Sequence, residues 1–229
     1  MITIIKSRKK LIFLSSIFFS LTVYSQNPEK KLGSWYMYNG NNKISESFSI
    51  KTSAHIRYFE LAEFYQQEVY RAGLTYNVDK NFNFTSGMVY SIKENNYKSN
   101  SDKTYEYRFY EDFNLKTTYG KLQFKHRIRL EHSTNNATNF KKFNNRIRFG
   151  VTLQYPLYQK LDFYVFDEIF LNFKSEAFGE NRTGAGFIYT ISNSLKFQLG
   201  YMHIHFAETH LDRLQIGLLI NTNLCKKNS

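Results

Sequence analysis

The chain has 229 residues, one cysteine, two prolines, 18 tyrosines and 22 phenylalanines, and a formal charge of +12. A single cysteine, Cys225, excludes an internal disulfide framework, and no segment after the first 25 residues approaches 18 consecutive apolar residues, which excludes a transmembrane helix there. The basic residues alternate with apolar ones instead of clustering in a recognisable module, so the charge does not point to nucleic acid.

The first residues, MITIIKSRKK, carry four positive charges and are followed by LIFLSSIFFSLTV and then Tyr24-Ser25-Gln26. That basic, apolar and small-residue order predicts a secretory signal peptide over 1–25, cleaved after Ser25. The mature chain is then one domain, with an N-terminal segment 26–43, a barrel over 44–224 and a tail, 225–229. LGSWYMYNG contributes a short aromatic strand at 33–38, read as periplasmic, luminal or accessory.

From Ile44 onward the pattern is period two, which in a strand separates two faces. ISESFSIKTSAHIRY sets Phe48, Ile50, Ala54, Ile56 and Tyr58 against Ser49, Lys51, His55 and Arg57. FYQQEVYRAGLTYNV and NFNFTSGMVYSI follow, joined at Val78-Asp79-Lys80 in a register that places Arg71 opposite Gly87. The most regular stretch is Tyr105–Glu131. With Tyr119-Gly120 as a two-residue loop, Asp112 is expected opposite Arg127, Arg108 opposite Glu131 and Asn114 opposite Lys125, with Phe109–Leu130 and Leu115–Phe124 on the other face. FNNRIRFGVTLQY alternates again and ends at Pro156, which lacks a ladder donor. In LDFYVFDEIFLNF the faces are ambiguous, because Asp167 and Glu168 are adjacent. NRTGAGFIYTI, SLKFQLGYMHIHF and RLQIGLLINTNL complete the set.

Connections near 78–80, 119–120, 157–160 and 192–194 read as short, and those near 94–104, 133–142, 174–180 and 207–212 as long. Aromatic exteriors, charged interiors and alternating connection lengths predict an all-β, antiparallel transmembrane barrel in the outer membrane of a Gram-negative bacterium, with short periplasmic turns and longer external loops. The strand count is ten, with both chain ends on the periplasmic side, or twelve if one long segment holds two strands. A soluble, lipocalin-like exported barrel is the alternative, and it requires the aromatics to point inward.

The lumen is expected to collect Arg71, Arg108, Asp112, Lys125, Arg127, Arg129, Glu131, Arg146, Arg148 and Arg182. Such a set makes either an ion-paired plug with a passive or structural role, or a small anion-biased pore that takes a small anionic solute. The competing class is a rim hydrolase acting on lipid or peptide, with His205, His210 and Asp212 as its candidate residues in MHIHFAETHLD. No Gly-x-Ser-x-Gly or His-Glu-x-x-His pattern supports it, and no cofactor or metal is implied. Trp35, Tyr36, Tyr38, Tyr155, Tyr158, Tyr189 and Tyr201 are read as interfacial girdle residues. The implied partners are outer-membrane lipid and the barrel assembly machinery.

LGSWYMYNG, HRIRLEH (126–132), NRIRFGVTLQYPL (145–157), DEIFLNF (167–173), ENRTGAGFIY (180–189) and LQIGLLINTNL (214–224) occur in an order that resembles an uncharacterised outer-membrane family common in Bacteroidota, domain of unknown function 2490. The resemblance implies a β-barrel in the outer membrane and brings no activity, ligand or catalytic residue. The chain departs from outer-membrane proteins in lacking a terminal aromatic, so assembly signals are expected within Ile216–Leu224.

Overall fold

A computed structural model describes residues 31–94, 97, 103–136, 143–174 and 176–225. The leader expected over 1–25 and residues 226–229 of the tail lie outside the described residues. Eleven strands follow in chain order: β1 Gly33–Lys43, β2 Phe48–Tyr58, β3 Tyr65–Asn77, β4 Phe82–Glu94, β5 Lys103–Tyr119, β6 Leu122–Asn135, β7 Asn144–Tyr158, β8 Leu161–Asn172, β9 Phe178–Thr190, β10 Leu195–His205 and β11 His210–Asn223. They close into one barrel in which each strand pairs with its chain neighbours and β1 meets β11.

The closure corrects the expected ten-strand, wholly antiparallel architecture. Gly33–Lys43 is a full wall strand, antiparallel to β2 and parallel to β11 through the register Gly33↔Arg213 to Lys43↔Asn223. Its second half, NGNNK, is poor in strand-favouring residues, which makes the strand read as six residues instead of eleven. Pairing on both edges supplies what propensity does not. An odd count also places the start of β1 and the end of β11 at opposite ends of the barrel, not together at one end as a ten-strand wall would. Gly33 lies beside Arg213 at the end carrying the 59–64, 95–102 and 136–143 links, and Asn223 lies beside Lys43 at the other. The connections at Asn223's end have four, four, two, two and four residues, and those at Gly33's end six, eight, eight, five and four. The expected alternation in length therefore fails at the last connection, 206–209.

Both hairpin registers differ from expectation by two residues. In β5–β6 the loop is Gly120-Lys121, with Gly120 at φ 58°, and Asp112 faces Arg129, Arg108 faces Ser133, Asn114 faces Arg127, Phe109 faces His132 and Leu115 faces His126. In β3–β4 the link is 78–81, where Asp79 Oδ1 accepts hydrogen bonds from the backbone N–H of Asn81 (2.6 Å) and Phe82 (2.8 Å), and Arg71 faces Val89. A shift of two leaves every side chain on its face, whereas a shift of one would invert the strand.

The faces are opposite to those of a water-soluble core. Phe48, Leu74, Met88, Phe109, Phe113, Ile128, Phe149, Phe187, Leu199 and Leu218 are exposed on the outer wall, while Arg108, Asp112, Arg129, Glu131, Arg148 and Glu168 are buried. The inward aromatics that a lipocalin-like barrel requires are therefore not the general rule here. They occur locally. Trp35, Met37, Met202 and Ile204 form an apolar patch on the inner wall, packed by Phe166, Phe206 and Leu211. Trp35 thus leaves the expected girdle for the interior. Tyr110 lies against Val69 and Val89, in a slot made by Gly73, where an added Cβ would stand 2.5 Å from the Tyr110 hydroxyl.

Two outcomes test this architecture. In a Cys225→Ser background, Tyr38→Cys with Leu218→Cys should form a disulfide under mild oxidation, seen as altered gel mobility of the denatured chain; a ten-strand wall without β1 would not cross-link. The two backbone donors hold the Asp79 carboxyl below its ordinary value of 3.8. Because the folded value is depressed, the turn contributes stability above pH 3.8 and loses it as pH falls through the folded value. A carboxyl NMR titration should give a midpoint below 3.8, and Asp79→Ala should remove it and lower the melting temperature.

Candidate functional site

Burying charge is costly unless each group is paired and hydrogen-bonded, and the inner wall of β5–β8 meets that demand with a continuous belt. Glu131, 1% exposed, lies at its centre. Its Oε1 accepts from Arg108 Nη1 at 3.1 Å and Arg148 Nη1 at 3.0 Å, and its Oε2 accepts from Arg146 Nε. Arg129 reaches Glu131 at 3.7 Å and grips Asp112 with two bonds, 2.5 and 2.6 Å. Glu168 takes Arg148 Nη2 at 2.7 Å and Arg127 Nη2 at 2.5 Å.

The last contact runs from β6 to β8 across β7. It is feasible because the intervening position, Gly150, pairs with both Arg127 and Glu168 and carries no side chain. A Cβ at Gly150 would stand 3.3 Å from Glu168 Oε1. Between the adjacent acids, Glu168 faces the interior, while Asp167 faces outward and accepts from Asn181 Nδ2 at 2.6 Å. The inward side chains of β8 are Tyr164, Phe166, Glu168 and Phe170, three of them aromatic, so polarity alone does not mark its faces.

All ten residues anticipated for the lumen face it. Arg71, Asp112, Lys125, Arg127, Arg129, Arg148 and Arg182 line a cavity of about 550 Å³ toward the short turns. Arg108 and Arg146 line one of about 360 Å³ at the opposite end, and Glu131 lies buried in the belt. Eleven strands enclose more than an eight-strand barrel can fill with side chains, which is why cavities persist. Among the described residues, the cavity toward the short turns is bordered by nine lysine and arginine side chains against two carboxylates, Asp112 and Glu168. Lys51 and Lys125 are bonded there to neutral groups, Asn83 and Thr85 for the first and Gln154 for the second.

Among the described residues, five side chains border both cavities: Trp35, Arg57, Arg71, Arg148 and Arg182. They form a septum. Arg57 stacks on Trp35 with Cζ 3.7 Å from the ring centre, and Arg182 stands 5.1 Å from the same ring and 4.4 Å from Phe170. Arg148 lies 4.1 Å from Phe170 on the same post. Arg182 is paired with Glu180 at 2.6 Å. Trp35, Glu106, Glu180 and Arg213 were not anticipated as lumen residues. The alternation of Glu106 with Tyr105 and Tyr107 would have found Glu106, but Trp35 lies on an inner patch that is itself apolar.

The rim candidates sit on the outer wall. Asp212 accepts from the Tyr201 hydroxyl and pairs with His203 Nδ1 at 2.8 Å; His210 stacks on His203 at 5.3 Å, and His205 packs against Phe178 at 6.1 Å. An Asp–His pair can orient an imidazole as a base, yet among the described residues no serine, threonine or cysteine is hydrogen-bonded to these histidines. Nor is any group of three or more His, Cys, Asp or Glu among them arranged to hold a metal ion.

Removing one partner of a buried charge network leaves the others uncompensated, at about 3–5 kcal/mol. Glu131→Ala should lower unfolding stability by that amount in urea titrations, whereas Asp167→Ala, outside the belt, should cost less than about 1 kcal/mol.

No curated protein matches this chain. A family model described as "Protein of unknown function (DUF2490)" matches residues 32–215, which spans β1 through the first half of β11 and includes the whole belt and septum. The chain belongs to the DUF2490 family.

Proposed function

We propose that the protein is an outer-membrane β-barrel whose basic lumen is a narrow, anion-biased passage restricted at the arginine septum. The observation that carries the membrane reading is the inverted arrangement of faces, with apolar side chains outside and ion pairs inside a closed wall. Water gives no reason for a belt of exposed Phe, Leu, Ile and Met, and lipid does.

The belt has borders. Tyr76, Tyr119, Tyr155, Tyr158 and Tyr189 ring the outer wall toward the short turns, and Tyr70, Tyr105, Tyr107 and Tyr201 ring it toward the opposite end. Tyrosine with an apolar body and a polar tip suits both headgroup boundaries. On β5, Tyr107 and Tyr119 are twelve residues apart, about 40 Å along a strand and, at the usual tilt of about 40°, about 30 Å in height. That is close to the thickness of a hydrocarbon core.

With this orientation the short turns are periplasmic, the 59–64, 95–102 and 136–143 links external, and the chain is exported by its leader. The outward Ile216, Leu218 and Ile220 of β11 provide the apolar strand for the assembly machinery. The excess of arginine and lysine over carboxylates around the larger cavity sets the sign of the field in the lumen, and a one-sign field in a low-dielectric tube favours anions. The rim Asp–His pair lies on the lipid-facing wall outside this passage and supplies no nucleophile of its own, so a hydrolase is not favoured.

Fractionation of the native host should place the protein with outer-membrane markers, and the folded form should migrate differently on gels before and after boiling. In planar bilayers, small discrete steps with anion preference are expected. Arg57→Ala with Arg71→Ala should raise the conductance and reduce that preference. Silence from a folded, inserted barrel would remove the passage and leave a closed scaffold; recovery in a soluble fraction would remove the membrane reading.

A further inference from the structure

The septum contains more buried donors than acceptors. Arg57 is 8% exposed and uses one nitrogen on Gln67 Oε1 at 2.7 Å. Arg71 uses one on Ser53 Oγ at 3.3 Å. Neither has a carboxylate partner among the described residues, unlike Arg148, which has two, and Arg182, which has Glu180. The Nε atoms of Arg57, Arg71 and Arg182 and Nε1 of Trp35 are all buried without an acceptor. A buried donor left unmade costs about 1–3 kcal/mol, and more when it belongs to a charged group, so four in one place are a standing penalty; in the belt on β5–β8, among the described residues, Arg108 Nε alone is left so.

The missing component is an acceptor with several lone pairs and negative charge. We infer that the septum is an oxyanion-binding site: a phosphate- or carboxylate-bearing solute lies between Arg57 and Arg71 beside Trp35, where the two lumen cavities meet. This rests on the anion-attracting lumen proposed above and gives that lumen a specific occupant. Guanidinium forks match an oxyanion's paired oxygens, whereas a halide offers one centre and cannot satisfy divergent N–H directions. The cavities on either side, about 550 and 360 Å³, bring solute to the septum from both ends. Trp35 holds Arg57 by stacking at 3.7 Å, so an anion that draws the guanidinium toward itself alters the indole's surroundings.

Trp35 is also the chain's single tryptophan, which makes its fluorescence a direct reporter. The folded barrel in detergent is titrated with inorganic phosphate, succinate and chloride at constant ionic strength. A saturable change with half-saturation at about 1 mM or below is expected for phosphate, succinate or both, and none for chloride. A response to phosphate alone assigns a tetrahedral oxyanion; a response to succinate alone assigns a carboxylate.

Arg71→Gln should weaken the response by about tenfold or more, Arg71→Lys should do nearly the same because the charge stays and the fork is lost, and Lys121→Gln, in the β5–β6 turn, should leave it intact. Phosphate should raise the melting temperature of the native barrel and not of Arg71→Lys. A phosphate and succinate response indistinguishable from chloride, or one unchanged in both Arg71 variants, overturns the site. Anion-selective bilayer currents with an insensitive Trp35 would sink the site and keep the passage; saturable binding in detergent with silent bilayers would do the reverse.

Discussion

The interior depends on Glu131. One carboxylate, almost wholly enclosed, draws together arginines from β5, β6 and β7. Through Arg129 it is linked to Asp112, and through Arg148 to Glu168 on β8. Four strands of the wall are therefore tied by charge on the inside, where a soluble barrel would be tied by apolar packing. Apart from Arg127, which bonds one oxygen of Glu168, each guanidinium in the belt satisfies more than one oxygen or lies on an aromatic ring, as Arg129 does on Tyr110 at 4.6 Å and Arg148 on Phe170. Such networks are high-stakes: satisfied they make the wall specific, and broken at one point they leave charges stranded.

The opposite half of the lumen is built differently. β1 and β10 present Trp35, Met37, Met202 and Ile204, and β2 and β3 present Arg57 and Arg71 with neutral partners. The division gives the septum its character. Carboxylates are concentrated against β5–β8, so Arg57 on β2 meets the Trp35 face and the Gln67 amide oxygen, and Arg71 on β3 meets the Ser53 hydroxyl instead. Charge is paired on one side of the tube, while among the described residues Arg57 and Arg71 on the other side have no carboxylate partner, and the resting lumen is narrowed by cations stacked on Trp35 and Phe170.

Much of this was legible in the chain because a strand has period two. Tyr105 to Glu131 shows its faces apart from Glu111 and His126 on the apolar side and Tyr110 on the charged one, and Arg108, Asp112, Arg127, Arg129 and Glu131 are all inside. Register was less legible for a physical reason. Arginine reaches diagonally, so Arg108 bonds Glu131 at 3.1 Å although its cross-strand partner is Ser133. Ion pairing on one face therefore fits two registers that differ by two residues. Where the inner wall is itself apolar, alternation fails as a guide. In β8 the aromatics Tyr164, Phe166 and Phe170 point inward beside Glu168, and in β1 Trp35 and Met37 do, so neither the Asp167–Glu168 choice nor the place of β1 follows from polarity. The parallel seam between β1 and β11 leaves no local signature, since its partners are the first and last strands of the barrel.

The reading as a membrane barrel stands on what covers the outer wall, and that can be measured without reference to transport. Nitroxide labels at Leu74, Phe113, Ile128, Phe149, Phe187 and Leu218, outward positions on six strands, placed one at a time in a Cys225→Ser chain reconstituted in lipid vesicles, report whether their surroundings are lipid or water. High collision rates with dissolved oxygen and low rates with a water-soluble nickel chelate at all six positions are expected around the whole circumference. Ready access of the chelate to these outward sites in the folded barrel would contradict the inverted, lipid-facing wall on which the proposed lumen depends.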